Sequence, residues 1–153
     1  DDIPRRASQT SVGNTSFHLD AGYTPQFPFG FGLSYTQFDY SRLEVSCASA
    51  PLGTTIEVSA WLSNAGDREG TEVVQLYVRD LVGSVTRPVK ELKGFQRVTL
   101  GPGEATRVVF ELKSEDLAFY GRDNQLRTEP GEFHVFIGGD SATELRAAFE
   151  LTA

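Results

Sequence analysis

Residues 54–80, TTIEVSAWLSNAGDREGTEVVQLYVRD, decide the fold. Ile56, Val58, Ala60 and Leu62 alternate with Thr55, Glu57, Ser59 and Trp61, the period of a strand with one buried face. The polar run from Asn64 to Gly70 interrupts the pattern, and Val74, Leu76 and Val78 then resume it. Two strands joined by a short glycine-bounded turn predict a hairpin. Outward from this pair the same period recurs. Phe38 and Tyr40 alternate, and the phase then slips to Leu43, Val45 and Cys47, which predicts a bulge near Ser41-Arg42. Lys90 to Leu100 reads as a strand with a bulge at Gly94, and Gly101-Pro102-Gly103-Glu104 reads as a tight turn. Thr106, Val108, Phe110 and Leu112 alternate strictly, as do Phe133, Val135 and Ile137, and then Leu145, Ala147, Phe149 and Leu151. Between them, Ser114 to Leu117 fits one helical turn capped by Ser114, and Gly121 to Asn124 fits the tip of a short hairpin.

About seven such strands with almost no helix predict an all-β, immunoglobulin-like antiparallel β-sandwich. Cys47 is the only cysteine in the 153 residues, so the inter-sheet disulfide of antibody domains is impossible and the fibronectin type III-like variety is favoured. A single core suffices at this length. The composition, 39% hydrophobic and 23% charged, is that of a globular chain, and no apolar run approaches the ~20 residues of a membrane span. The net charge of −7 comes from dispersed carboxylates without a basic face, which argues against nucleic acid and anionic lipid as partners. The chain starts at Asp1 and contains no methionine, as expected of a fragment, a processed chain or one piece of a larger protein.

Ahead of the strands lies FPFGFGLSY (residues 27–35), four aromatic rings within nine residues, spaced by Pro28, Gly30 and Gly32. Proline and glycine predict a turn, and the area of the rings predicts that they are buried in a plug fixing an arm to a domain. Residues 1–26 show neither helical nor strand period and read as that arm, with residues 27–153 as the sandwich entered through the plug. Phe17 and His18 are the arm's candidates for reaching a substrate edge. Elsewhere, chemistry-bearing residues read mainly as structural. Cys47 falls on an inward face without a basic neighbour, Asp67 and Glu69 sit at a solvated turn, and His134 has no partner at metal-ligand spacing. Trp61, on the outer face, either covers a sheet edge or stacks on a sugar, and with Tyr77 and Tyr120 it defines an alternative carbohydrate-binding platform.

FPFGFGLSY resembles the segment through which glycoside hydrolase family 3 enzymes, typically β-glucosidases and β-xylosidases, enter their C-terminal fibronectin type III-like domain. Val73-Val74-Gln75-Leu76-Tyr77-Val78, Arg87 to Phe95, Leu100 to Glu104, Pro130 to Phe133 and Ile137-Gly138 are similar to later parts of that domain, in the same order. Ile3-Pro4-Arg5 is faintly similar to the end of the α/β domain that precedes it. The resemblance implies a retaining β-glucosidase acting on terminal β-linked glucose of oligosaccharides, with a nucleophilic aspartate on a barrel domain and an acid/base glutamate on the α/β domain. Neither domain lies in this chain. No acidic residue here matches a catalytic motif, so the segment is expected to be inactive alone and to carry neither a catalytic residue, a cofactor nor a metal. The implied partners are the barrel and α/β domains, with oligosaccharide reached through the assembled enzyme and a homodimer contact as a further option; the implied location is periplasmic or extracellular. Phe27, Phe29, Phe31 and Tyr35 become interdomain packing residues, which makes their rings exposed when the segment stands alone.

Overall fold

The computed structural model describes residues 25–153. Among the described residues there are ten strands: β1 Phe38–Val45, β2 Ser49–Pro51, β3 Ile56–Asn64, β4 Gly70–Asp80, β5 Glu91–Leu100, β6 Ala105–Leu112, β7 Phe119–Tyr120, β8 Leu126–Arg127, β9 Gly131–Gly138 and β10 Arg146–Thr152. A three-stranded sheet in the order β1-β3-β6 faces a five-stranded sheet in the order β2-β10-β9-β4-β5, and β7 with β8 makes a separate small hairpin. This is the expected sandwich. The alternating residues supply its core: Ile56, Val58, Ala60 and Leu62 of β3 meet Val74, Leu76 and Val78 of β4, Val108, Phe110 and Leu112 of β6, and Phe133, Val135 and Ile137 of β9. Phe133 and Phe149 stack with centroids 5.4 Å apart. Cys47 packs half-buried against the same core.

The hairpin expected of β3 and β4 does not form. The two strands lie in opposite sheets, and the Asn64–Gly70 connection crosses from one to the other. The alternation is unaffected, because a period of two fixes which face is inward and leaves open which sheet a strand joins. What directs the crossing is Asn64. Its fully buried side chain donates to Arg68 O (2.7 Å) and Leu100 O (2.9 Å), and its Oδ1 accepts from Thr36 Oγ1 (2.6 Å) and Gly66 N (3.1 Å). Its backbone N–H and carbonyl bond Glu104 O and Gly103 N, at 2.9 and 3.0 Å. One amide thus binds the segment before β1, the β3–β4 crossing and the end of β5 together, with its donors and acceptor all used.

Both expected bulges are present. The β1–β3 register shifts between Ser41 and Glu44, with Arg42 at φ 52°, and the β4–β5 register shifts so that Leu76 faces Gly94 while Tyr77 faces Leu92. A Cβ on Gly94 would stand 3.1 Å from the Phe110 ring, so the missing side chain lets the two sheets approach there. Three further expectations change. The sandwich is not wholly antiparallel, since β2 pairs in parallel with β10 and covers that sheet edge. Ser114 does not cap the 3-10 turn Ser114–Leu117; Asp116 accepts from the Lys113 N–H at 2.8 Å, while Ser114 Oγ accepts from Gly53 N at 2.9 Å. Trp61 lies on the central strand of its sheet, opposite Arg107, and so covers no edge.

Replacing Asn64 by leucine leaves carbonyls and N–H groups of three segments unpaired, each lost bond to a buried partner costing about 1 kcal/mol or more. The expected result is a loss of about 3 kcal/mol and a melting temperature lower by about 6–12 °C for a domain of this size. Calorimetry of the Asn64→Leu chain checks it, and an unchanged melting temperature would remove Asn64 as the organiser of the crossing.

Candidate functional site

β4 lies between β9 and β5 in the larger sheet, and from Val74 to Val78 its side chains are buried on both faces. Val74, Leu76 and Val78 point to the core, whereas Gln75 and Tyr77 point outward and are nevertheless buried. Their outward polar atoms meet the backbone of Phe29 and Gly30, within residues 27–35, and of Gly139. Pro28 O accepts from Phe31 N at 3.1 Å, closing a turn in which Gly30 takes φ +86°. A glycine at the third position of a type II turn meets that requirement, and a Cβ there would overlap the Gln75 amide. Gln75 Nε2 donates to Gly139 O and stands 3.5 Å from Gly30 O, and Gln75 Oε1 accepts from the Tyr77 hydroxyl at 2.5 Å. Tyr77 Oη also lies 3.4 Å from Phe29 O, to which Ser141 N donates at 2.8 Å. The turn between β9 and β10 is held from its other side by Lys90, whose Nζ donates to Ser141 O (3.0 Å) and Thr143 O (2.6 Å) and sits 4.1 Å above the Phe136 ring.

The segment is therefore attached through its peptide groups, and its rings face away. Phe27, Phe29, Phe31 and Tyr35 are 62%, 67%, 45% and 94% exposed. This corrects the expectation, drawn from ring area alone, that the plug buries its aromatics in the domain; it agrees with the exposure implied by the family resemblance. Phe27 and Phe31 keep each other company, with centroids 5.1 Å apart, while Tyr35 and Leu33 stand free. Phe17 and His18 lie outside the described residues.

Between the segment and the β1–β4 side of the sandwich runs a groove of about 330 Å³, lined by Phe31, Leu33, Tyr40, Glu72, Val73 and Asp140 among others. The Tyr40 hydroxyl is buried there without a hydrogen-bond partner. Burial, with the nearby carboxylates of Glu72 and Asp140, pushes its phenol far above the usual range. Burial also raises the Glu72 carboxyl, as does the like charge of Asp140, against the lowering effect of the Val73 N–H that Glu72 Oε1 accepts at 2.8 Å. Asp140 Oδ1 accepts from Ala142 N at 2.8 Å. Neither carboxylate forms a salt bridge among the described residues.

The remaining candidates do not assemble. Trp61 is on the outer face of the three-stranded sheet, Tyr77 is covered by the plug and Tyr120 projects from the β7–β8 hairpin, so the three share no face. His134 is half-buried with Nε2 3.5 Å from Glu132 Oε1, and Asp67 is open to solvent beside Arg68. No three His, Cys, Asp or Glu side chains converge on a metal position among the described residues. Sequence reasoning missed Glu72 and Gln75 as site residues; a glutamate just before the apolar run of a strand of otherwise good β-formers, and a glutamine within it, were the available signal.

Residues 72–141 match the fibronectin type III-like domain family. The chain is 42% identical over 137 residues to a periplasmic β-glucosidase of Salmonella typhimurium, covering 90% of this chain and 18% of that protein. It is 46% identical over 121 residues to thermostable β-glucosidase B of Acetivibrio thermocellus, covering 78% of this chain and 16% of that protein. A solved β-glucosidase of Erythrobacter marinus superposes with a TM-score of 0.86 at 41% identity over 98% of this chain and 20% of that one. The chain thus spans about a fifth of the length of the relatives it matches. It belongs to the fibronectin type III-like domains that β-glucosidases of glycoside hydrolase family 3 carry.

Proposed function

We propose that this chain is the non-catalytic, C-terminal portion of a retaining β-glucosidase that removes terminal β-linked glucose from oligosaccharides. The observation that carries the reading is the match of nearly the whole chain to about a fifth of several β-glucosidases. Residues 1–26 serve as the arm from a preceding α/β domain, and residues 27–153 as the domain that the arm leads into. A retaining mechanism uses two carboxyl groups about 5–5.5 Å apart beside the scissile bond. The family supplies them from the barrel and α/β domains, so the role left to this portion is to position them.

The plug is the joint. Its peptide groups are fixed to Gln75, Tyr77 and Ser141, and its outward rings, Phe27, Phe29, Phe31 and Tyr35, are placed to seat against the α/β domain. Through that contact the domain holds the acid/base loop, where small misplacements cost large factors in rate. Phe17 and His18, on the arm, are the candidates for approaching the substrate edge. The periplasmic relative favours placement in the periplasm or outside the cell. No helix among the described residues is long and apolar enough to cross a membrane.

The full-length polypeptide is expected to hydrolyse an aryl β-glucoside with retention at the anomeric carbon, and the 153-residue chain to show no activity on it. Anomer-resolved NMR of both checks this; hydrolysis by the isolated chain, or none by the full-length polypeptide, overturns the reading. The Phe29→Ala/Phe31→Ala double variant makes a second test. Because the rings are exposed, the isolated chain should keep its stability within about 0.5–1 kcal/mol. The same variant should lower the melting temperature and the kcat of the full-length enzyme. Equal behaviour of the two would leave the plug without a role as a joint.

A further inference from the structure

The outer face of β4 and β5 continues the apolar surface of the plug. Val73 lines the same groove as Phe31, and Gly30 lies against Gln75, whose neighbour across the ladder is Phe95. Tyr77, beneath Phe29, has Leu92 as its neighbour on β5. Phe95 is 65% exposed, and Val73 and Leu92 are exposed on the same face. The phase of β4 explains it: Val74, Leu76 and Val78 fill the core, so Val73 and the β5 residues paired with Gln75 and Tyr77 must project outward. Isolated surface hydrophobics are ordinary, but five on one continuous face mark a contact surface.

Resting on the reading given above, we propose that this face, from Phe29 and Phe31 across Val73 to Phe95 and Leu92, docks onto the catalytic portion of the same enzyme, against an apolar surface that presents a lysine or arginine at the margin of the groove. Two observations select that occupant. The relatives are about five times the length of this chain, so the rest of the polypeptide supplies a large neighbouring surface at high effective concentration. The groove at the edge of the face holds Glu72 and Asp140, neither of which forms a salt bridge among the described residues; Lys90, whose charge acts on Asp140, gives its N–H groups to Ser141 O and Thr143 O. Burial already disfavours the charged form of Glu72, and a basic side chain entering the groove relieves that cost and gives the buried Tyr40 hydroxyl an acceptable neighbour. A docking surface with an apolar centre and a charge-matched rim has the composition of a specific interface.

The test places Phe95→Asp and Glu72→Gln in both the full-length polypeptide and the 153-residue chain, with Glu111→Lys on the outer face of the opposite sheet as control. In the isolated chain, Phe95→Asp should shift the melting temperature by no more than about 2 °C, and Glu72→Gln should hold or raise it. In the full-length polypeptide, Phe95→Asp should split a single unfolding transition into two and shorten the half-life at the inactivation temperature about tenfold. Glu72→Gln should shorten that half-life about threefold, a change opposite in sign to its effect on the isolated chain. Full-length variants indistinguishable from the Glu111→Lys control overturn the proposal. So does a dimer of the isolated chain in sedimentation velocity that Phe95→Asp dissolves, which makes a second copy the occupant. Retention of the isolated chain on cellulose, lost in Phe95→Asp, overturns it in favour of polysaccharide. Absence of β-glucosidase activity in the full-length polypeptide sinks the catalytic reading alone, since the unfolding transitions still report whether the face is docked.

Discussion

A buried amide on the outer side of β4 is the constraint on which the arrangement of this domain depends. Gln75 sits where a half-exposed strand would carry a solvated residue, and an amide withdrawn from water must find partners for its N–H and oxygen atoms. It finds them in Gly139 O, Gly30 O and the Tyr77 hydroxyl. With the Ser141 N–H bond to Phe29 O, the contact at Gly30 holds the turn of residues 28–31 against the sheet by its peptide groups, while Phe27, Phe29 and Phe31 are exposed. Asn64 performs the comparable task at the end of the sandwich, where it gathers the chain before β1 and the β3–β4 and β5–β6 connections. Two buried amides, and not the apolar core, thus determine how this sandwich presents itself to a neighbour.

The core itself was legible in the alternation of the strands. Ile56, Val58, Ala60 and Leu62, or Val108, Phe110 and Leu112, are inward in the structure as their spacing requires. The bulges beside Arg42 and Gly94 were legible too, the first from a slip in phase and the second from a missing side chain. Sheet membership was not. β3 and β4 look like a hairpin because either arrangement buries the same residues, and the choice is made by side-chain hydrogen bonds that span Thr36 to Leu100. The short parallel strand Ser49–Pro51 escaped notice for a related reason: three residues carry no period.

The site was half legible. Ring area and glycine spacing marked residues 27–35 as an attachment point, yet area alone could not say which side of the segment does the attaching. Here peptide groups bind inward and rings face out, an arrangement visible only once the polar atoms of Gln75 and Tyr77 are placed. Glu72 and Tyr40 are separated by more than thirty positions in sequence and meet only because β1 and β4 flank the same groove. Nothing in local composition announces such a meeting.

The outward rings also bear on the behaviour of the domain in solution. A free copy carries an oily surface that nothing among the described residues hides, and mutual repulsion from the net charge of −7 works to keep copies apart. That repulsion fades in strong salt and vanishes as the medium approaches the isoelectric point near 4.8. The colloidal stability of the free domain is thereby tied to ionic strength and to pH, a dependence set by its outward rings and its charge and not by its core.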